Sequence, residues 1–485
     1  MKFGDLLQGT VTRFDAKGRG VFDFERTDAP TRPVAVPFTT IGDTIEARFI
    51  KRDKVTFVAD LVRVITSGPD RVAVPVALDC YPGALWMPID YDAQIRFKRD
   101  MINAAFADAG HDERVETVMP SSVLTHFRNR MDYAVSWDGK IGLKEFGSWN
   151  RYRDVTEDPL LSDTTPKILE VFRQLLRNGD LQPWDNVKYH GDLRYVVIRE
   201  GKNTSDRLIA PIVKDLSRVT DETKEFLHSE LSDLCTSLVI GENPLITDLS
   251  IAQTMETLIG DGTLSEIVNN TTYHIHLNSF FQTNSVMAAT LQDVVADLIL
   301  HQLVAPTKGA PPQPVIPTEV ASLGLQKGDL GRDDRLSESS ALHILDLYCG
   351  LGFFGINLAK RHTNIRVSGF EIDTQAIELA KENAVTNNVA DRCDFTSGPA
   401  EDLSWKDIPA DVVILDPPRA GLHPRVITTL LEKKPRTIIY VSCNYHRLVE
   451  ELKQFRTAYK VETLQAVDMF PHTPHIEVIT RMVLM

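Results

Sequence analysis

The sequence has no long apolar run and few cysteines. No stretch reaches 18 consecutive apolar residues, and the first ten residues, MKFGDLLQGT, hold no apolar segment. We therefore expect no membrane span and no secretory signal, and we place the protein in the cytoplasm. The five cysteines lie far apart, without a CxxC pair or a companion histidine spacing, at Cys80, Cys235, Cys349, Cys393 and Cys443. This spacing favours neither a disulfide framework nor a metal site.

Positive charge is also in short supply, since the formal net charge is -14. Neutralising phosphates requires a surplus of Lys and Arg on the contact face, so the net charge argues against a protein that coats nucleic acid non-specifically, although a local basic groove is not excluded. A chain of 485 residues with 43% hydrophobic residues is long enough for two or three domains with cores of their own.

The first two thirds of the chain divide into two predicted domains. Residues 1–66 contain five short β-rich runs separated by glycine-bearing turns, which predicts a small OB-like barrel, a fold that commonly binds single-stranded nucleic acid. Residues 67–275 mix helical and strand-like patterns, as in an α+β domain. Their patch HFRNR at 126–130 places arginines beside aromatic residues, which suits phosphate and base contacts; a solvated strand edge is the alternative.

Composition changes twice in the last third. Residues 306–340 are rich in Pro, Gly, Ser and charge, which predicts a largely disordered insertion. From 341 onward, apolar strand runs alternate with helical patterns, which predicts βαβ units and a parallel, doubly wound sheet.

A possible cofactor pocket begins after the first of these strands. Gly350, Gly352 and Gly355 follow the G-x-G-x-x-G spacing, which lets the backbone approach a ligand closely but is a weak signal alone. Glu371 lies 21 residues after Gly350 at the end of the next strand, where an acid can accept hydrogen bonds from ribose hydroxyls. Asp373 is the alternative for that role.

Two further strand ends carry chemistry. Asp416 precedes two prolines, which would hold it rigidly over the crevice, unless it is an ordinary capping aspartate. Cys443 follows the strand 438–441 and precedes a helix predicted from His446, whose N-terminus would favour the thiolate. Near the C-terminus, Glu477 opens a strand-like run.

A thiol and a carboxylate in one crevice suit chemistry on a pyrimidine. Carbon 5 of uracil is too weakly nucleophilic to attack a methyl sulfonium, but thiolate addition at carbon 6 converts the ring to an enolate. After methylation a base removes the proton on carbon 5, and elimination releases the cysteine.

Six motifs in order, FFQTN, LDLYCGLG, FEID, LDPPRAG, VSCN and FPHTPHIEVI, together with FRNRMDYAV and IGLKEFGSW, resemble the RNA uracil-5-methyltransferases that act on 23S rRNA or on the T-loop of tRNA. The resemblance implies an α/β fold: a Rossmann-like class I methyltransferase domain over 276–485, a TRAM-type OB-like barrel over 1–66 and an α+β central domain over 67–275. It also implies S-adenosylmethionine as methyl donor.

The resemblance assigns roles residue by residue. Gln282, Tyr348, Glu371 and Asp416 would contact S-adenosylmethionine, beside the backbone at Gly350. Cys443 would be the nucleophile and Glu477 the base. Many ribosomal members bind an iron-sulfur cluster through four cysteines, of which only Cys80 is retained, so we expect no cluster. The usual SCNP motif reads SCNY, and Phe353 replaces a residue that is often polar in the family.

The predicted substrate is structured RNA, with the target uridine flipped out of its stack. The barrel favours 23S rRNA over tRNA, and we expect a monomer. Two other hypotheses remain: an amino-methyltransferase that acts on an exocyclic nitrogen and needs no thiol, and a non-catalytic RNA-binding factor.

Overall fold

The computed structural model describes residues 2–26, 29–74, 81–300 and 341–485. The predicted insertion at 306–340 and Cys80 lie outside these residues, so both predictions stay as they were. Within the described ranges, none of the helices combines the length and the apolar character that crossing a membrane requires.

An antiparallel-rich sheet occupies the N-terminal residues, where the OB-like barrel was predicted. Its six strands pair in the order β1-β5-β6-β4-β3-β2 around a small core that includes Phe22 and Ile45. Closure of this sheet into a barrel stays a prediction. The sequence pattern missed the separate first strand. The strands are β1 (Leu6–Thr10), β2 (Arg13–Phe14), β3 (Gly20–Arg26), β4 (Ala29–Val36), β5 (Thr44–Asp53) and β6 (Thr56–Thr66).

The central part of the chain forms a seven-stranded sheet in the order β10-β9-β8-β11-β12-β13-β14, followed by a hairpin of β15 and β16. Two helices accompany it, α2 (Thr165–Asn178) and α3 (Asp221–Leu231). The strands are β8 (Arg130–Val135), β9 (Ile141–Lys144), β10 (Tyr152–Asp154), β11 (Leu193–Glu200), β12 (Arg207–Val213), β13 (Ser237–Glu242), β14 (Thr254–Ile259), β15 (Thr263–Val268) and β16 (Thr271–His276).

The C-terminal sheet has eight strands in the order β19-β18-β17-β20-β21-β23-β22-β7. The first five are parallel, β23 runs antiparallel to both neighbours, and β7 comes from the predicted central domain. The strands are β7 (Val118–Met119), β17 (Leu342–Leu347), β18 (Ile365–Glu371), β19 (Cys393–Ser397), β20 (Val412–Leu415), β21 (Thr437–Ser442), β22 (Tyr459–Val467) and β23 (Glu477–Leu484).

Helices link the parallel strands in alternation, as the sequence pattern predicted, and the α/β fold class is confirmed. Strands β20 and β21 are buried along their whole length, which explains their unbroken apolar sequences. The helices of this region are α4 (Ser285–Leu300), α5 (Phe353–Arg361), α6 (Thr374–Thr386), α7 (Pro424–Lys433) and α8 (Tyr445–Phe455).

The strand order places the site. From β17 the chain winds outward through β18 and β19, then returns to β20 on the other side of β17 and continues to β21. The connections therefore diverge between β17 and β20, and a crevice opens outside the carboxyl ends of these strands. Ligands of doubly wound sheets bind at such a switch point.

One helix from the predicted central domain packs against the C-terminal sheet. Helix α1 (Tyr91–Asp108) contacts α8, and β7 pairs with β22 at the sheet edge. The domain limits 1–66, 67–275 and 276–485 stay a prediction, but the last sheet is completed by residues from the middle segment.

Candidate active site

Four residues singled out from the sequence lie at the carboxyl ends of adjacent parallel strands. Tyr348 follows β17, Glu371 is the last residue of β18, Asp416 follows β20, and Cys443 follows β21. Because these strands are neighbours in the sheet, their ends converge on the crevice at the switch point.

The glycine turn after β17 brings backbone close to Glu371. Gly350 adopts a left-handed φ of 54°, and its N–H donates to Glu371 Oε2 at 3.2 Å. A Cβ on Gly350 would meet no atom within 4 Å, so open space adjoins the turn. A Cβ on Gly355, in contrast, would lie 2.6 Å from Val367 Cγ1. The last glycine of the motif therefore serves close packing of helix on strand.

Asp373, the alternative to Glu371, has a structural task, which favours Glu371 for the ribose. Its carboxylate accepts hydrogen bonds from the N–H groups of Gln375 and Ala376 and so caps α6. Glu371 accepts one bond on each oxygen, from Gly350 and from the Asp373 N–H at 3.1 Å. A carboxylate has about four acceptor positions, so Glu371 keeps capacity for two further donors.

Two acids beneath the turn have perturbed pKa values. Burial raises the pKa of Asp346 to about 8, and neighbouring Asp416 and Glu371 add to the shift. Burial and Glu371 likewise raise the pKa of Asp416 to about 7. Asp346 Oδ2 accepts the Gly355 N–H at 3.1 Å, while Oδ1 has no hydrogen-bond partner among the described residues. Sequence reasoning missed Asp346, although an acid inside a buried apolar strand was a usable signal.

Gln282 reaches the same crevice from a distant loop. Its side-chain amide donates to Asp416 Oδ2 at 3.4 Å. The buried Asn129 holds the loop in place, because its Nδ2 donates to the Gln282 carbonyl at 2.8 Å and to Ser285 Oγ at 2.9 Å. Asp416 is therefore not a capping residue, and the cap of α7 is His423.

Cys443 directly precedes Asn444, which is the N-cap of α8. The helix begins at Tyr445, one residue before the start at His446 that the sequence predicted. The expected stabilisation of the thiolate is outweighed. Burial raises the pKa of Cys443 to about 11, the Glu477 carboxylate adds to this when it is ionised, and Arg419 opposes it. The thiol form predominates at neutral pH in the free protein.

Glu477 lies close to Cys443 at the ends of two antiparallel strands. Ser442, the last residue of β21, pairs with Val478 of β23, so Cys443 and Glu477 each adjoin one member of this last pair. The charge of Glu477 acts on the pKa of Cys443, which also places the two side chains near each other. Glu477 is buried, and its Oε2 has no hydrogen-bond partner within the described ranges. Burial, and then the Asp416 charge, raise its pKa well above the usual range, while Arg419 opposes the shift.

Arg419 is a site residue that the sequence analysis passed over. Its side chain is exposed, and its positive charge lowers the pKa of both Cys443 and Glu477. Asn444 Nδ2 donates to the Arg419 carbonyl at 3.0 Å, which ties the turn after Asp416 to the start of α8. Arg419 lies in the motif LDPPRAG, so the sequence offered a signal by which it could have been found.

The loop of residues 468–476 leads directly into Glu477 and is held by α1. His472 donates its backbone N–H to Gln94 Oε1 at 2.8 Å, and its ring contacts Gln94 Nε2 at 3.2 Å and the Leu124 carbonyl at 3.0 Å. These bonds account for His472 without a metal. No group of three or more potential ligands gathers anywhere in the described part of the chain.

The N-terminal sheet also touches this loop. A Cβ on Gly18 would lie 2.6 Å from Pro474 Cγ, and the Gly18 carbonyl accepts the Trp86 indole N–H at 2.7 Å. No local sequence pattern could have predicted these contacts, because each joins segments far apart in the chain.

The comparisons with known proteins identify relatives of this chain among the RNA methyltransferases. A family model described as tRNA (Uracil-5-)-methyltransferase matches residues 334–482. A tRNA (uracil(54)-C(5))-methyltransferase of Pyrococcus horikoshii is 32% identical over 478 residues, which cover 98% of this chain and 100% of the relative. A 23S rRNA (uracil(747)-C(5))-methyltransferase of the same organism is 27% identical and is covered to 99%.

A solved structure also matches nearly the whole chain. The crystal structure of Pyrococcus abyssi tRNA (uracil-54, C5)-methyltransferase, in complex with S-adenosyl-L-homocysteine, is 30% identical with a TM-score of 0.74. The match covers 98% of this chain and 100% of that one.

Proposed function

The chain belongs to the RNA uracil-5-methyltransferase family, and on that premise we propose that Cys443 and Glu477 methylate carbon 5 of a uridine in structured RNA through a transient cysteine adduct. The observation that carries the proposal is the proximity of Cys443, which follows β21, to Glu477, which begins the adjacent strand β23, with Asp416 beside both. A thiol opposed to a carboxylate is what the adduct chemistry requires.

The methyl donor is S-adenosylmethionine, and the crevice fits it. Glu371 has acceptor capacity left for the two ribose hydroxyls, and open space adjoins Gly350. The acids Asp346 and Asp416 favour a positively charged group, and Asp346 Oδ1 has no hydrogen-bond partner among the residues that the structure describes. When bound, S-adenosylmethionine supplies an electrophilic methyl group on a sulfonium sulfur. Tyr348 and Gln282 complete the proposed binding residues.

The reaction proceeds through the chain's own side chains. The Cys443 thiolate adds to carbon 6 of the uracil, and the ring electrons move to carbon 5 and the oxygen on carbon 4. Once carbon 5 carries the methyl group, the Glu477 carboxylate removes the proton that is still bound to carbon 5. The electron pair of that bond re-forms the double bond between carbons 5 and 6, and the thiolate leaves.

Both groups must be ionised to react, although burial opposes this in the free protein. Arg419 lowers the pKa of each, and positive charge in the crevice acts in the same direction. A raised starting pKa keeps the thiol unreactive until the site is filled. The target base must leave its stack to reach a thiol at the end of a central strand, so we propose a flipped uridine.

Transfer RNA is the substrate that the relatives favour. The tRNA enzymes are 30–32% identical over nearly the full chain, while the 23S rRNA enzymes are 27–28% identical. The N-terminal sheet alone favoured ribosomal RNA. Here the matches run the full length of tRNA enzymes, so an N-terminal segment of this size does not exclude tRNA, and 23S rRNA is the second candidate.

Mapping 5-methyluridine in tRNA and 23S rRNA from cells that lack this protein tests both candidates. We expect the loss of one tRNA site, restored by the wild-type gene and not by Cys443→Ala. Loss of a 23S rRNA site instead would reverse the order of the candidates. An unchanged uridine pattern, or restoration by Cys443→Ala, would refute thiol-dependent uridine methylation and favour an exocyclic-nitrogen or non-catalytic role.

A further inference from the structure

A pocket lined by aromatic side chains lies on the central sheet, away from the crevice. Its volume is about 240 Å³, below the range of about 300–1,000 Å³ that drug-sized ligands occupy, so it suits a single ring system. We call it the aromatic pocket. Its aromatic lining consists of Trp149, Tyr152, Trp184, Tyr189 and Tyr195.

Packing in the protein core does not explain three large side chains of this pocket, because they are mostly exposed. Trp149 is 61% exposed, Tyr189 is 50% exposed and Ile246 is 67% exposed. Exposing contiguous apolar surface carries a cost, and such patches mark binding sites. Trp and Tyr rings that are free on one face are the usual platforms for stacked bases.

The pocket also contains buried polar atoms without partners. Arg194 is 1% exposed, and its guanidinium lies 4.7 Å from the Trp184 ring centroid. Its terminal nitrogens donate to the carbonyls of Asn243, Leu245 and Thr247, but its Nε has no partner in the described residues, nor does Thr247 Oγ1. A donor and a hydroxyl left unpaired beside aromatic rings suit the polar edge of a base.

A basic groove lies beside both the aromatic pocket and the active-site crevice. The groove has a volume of about 400 Å³, and its lining includes three cations and one acid: Arg128, Arg130, Lys144 and Asp132. Asp132 forms an ion pair with Arg130 at 2.8 Å, so the lining keeps a positive excess. Thr283 also lines the groove. Thr283 follows Gln282 of the crevice. At the other end, Lys144 forms an ion pair with Asp248 of the aromatic pocket, and its Nζ lies 6.0 Å from the Tyr152 ring centroid.

The distance from the basic groove to the aromatic pocket fits a short stretch of single-stranded nucleic acid. Strand β8 runs from Arg130, in the groove, to Val135, in the aromatic pocket. Five residues of strand span about 17 Å, so a few nucleotides would bridge the two sites. Cationic side chains along such a path track phosphates, while the pocket takes a base.

We propose that the aromatic pocket binds an unpaired base of the RNA substrate, with the connecting phosphates in the basic groove, a few nucleotides from the methylated uridine. The inference rests on the proposed function, which supplies RNA as the ligand. It gives the central sheet a role in selecting RNA whose loop offers a second unstacked base. A pocket that holds a single ring system, beside a positively charged groove, suits a base and its phosphates better than the surface of a protein.

The test compares Trp149→Ala with Trp137→Ala. Trp137 is 62% exposed and lies two residues after the end of β8, but it does not line the aromatic pocket, so it is a matched control. Affinity for an in vitro tRNA transcript is measured by fluorescence anisotropy at fixed salt, with S-adenosylmethionine affinity measured alongside. We expect Trp149→Ala to weaken RNA binding about tenfold, Trp149→Phe to restore most of it and Trp137→Ala to change nothing.

Methylation kinetics give the second readout. Trp149→Ala should raise KM for the transcript about tenfold with kcat and S-adenosylmethionine affinity unchanged. Equal RNA affinity for Trp149→Ala and Trp137→Ala, or an effect of Trp149→Ala on self-association alone, would overturn the inference. Failure of the proposed function looks different: the wild type would then transfer no methyl group to uridine, whatever Trp149 contributes to RNA binding.

Discussion

Lys98 Nζ of helix α1 donates to Asp468 Oδ1 at 2.6 Å, although 370 positions separate the two residues. Both side chains are fully buried, and Tyr91 donates a further hydrogen bond to Asp468 at 2.9 Å. Asp468 begins the loop that leads into Glu477. The ion pair therefore fixes the start of the loop that carries the proposed base, from a helix outside the predicted catalytic domain.

Breaking this pair should destabilise the protein strongly. Lys98→Met leaves the Asp468 carboxylate buried without its cation, which costs about 3–5 kcal/mol of unfolding free energy. Urea denaturation measures the change. Lys453→Met is the control, because its partner Glu450 and Lys453 itself are exposed, and such pairs contribute about 0–1 kcal/mol. Equal losses in the two variants would contradict the role given to the buried pair.

Affinity for S-adenosylmethionine should rise with pH. In the free protein the pKa of Asp346 is about 8 and that of Asp416 is about 7, so at pH 6 both are mostly protonated. A bound cation favours their ionised forms, so binding releases protons and strengthens by about three- to tenfold between pH 6 and pH 8. Isothermal titration calorimetry in buffers of different ionisation enthalpy measures both effects.

S-adenosyl-L-homocysteine is the matched control ligand, since it lacks only the methyl group and the positive charge at sulfur. Its affinity should change less over the same range. Identical pH profiles for the two ligands would show that the acids do not sense the charge.

Replacing Arg419 should make Cys443 less reactive. Arg419 lowers the pKa of Cys443 against the dominant effect of burial, so Arg419→Ala raises that pKa further and reduces the thiolate fraction near neutral pH. We expect alkylation of Cys443 by iodoacetamide at pH 8 to slow by about threefold, with Arg419→Lys closer to the wild type. Peptide mass spectrometry follows the rate, and Cys235, a half-buried thiol with no part in the site, serves as the internal reference. Faster alkylation of Cys443 in Arg419→Ala would give the wrong sign.

Glu477→Gln should stop the reaction after the adduct has formed. Glutamine occupies similar space but cannot take the proton from carbon 5, so turnover falls by about 10²–10⁴-fold. Because elimination depends on that proton, RNA should remain attached to the protein in a denaturing gel. An inactive Glu477→Gln protein that never retains RNA would assign Glu477 to an earlier step.

Local sequence patterns predicted much of the catalytic sheet. The βαβ alternation, the strand-end positions of Glu371, Asp416 and Cys443, and the strand that Glu477 opens are all present in the structure. They could be predicted because strand periodicity and glycine turns are encoded over a few neighbouring residues. The roles of these residues in binding and catalysis stay predictions.

Contacts between distant segments could not be predicted in this way. The sequence gives no local sign that Lys98 meets Asp468, that Asn129 holds the Gln282 loop, or that Arg194 stacks on Trp184. The direction of the Cys443 pKa shift was also wrongly predicted, because the helix start was visible in the sequence while the burial that raises the pKa was not.

Trapping the cysteine adduct tests the central claim most directly. In RNA that carries 5-fluorouridine, carbon 5 bears fluorine in place of the proton that Glu477 must remove, so elimination is blocked after methylation. With S-adenosylmethionine present, we predict a covalent complex whose digestion yields one peptide joined to fluorinated, methylated uridine through Cys443, and no complex for Cys443→Ala. Methylation of uridine carbon 5 by the Cys443→Ala protein, or a crosslink to any other residue, would contradict the account.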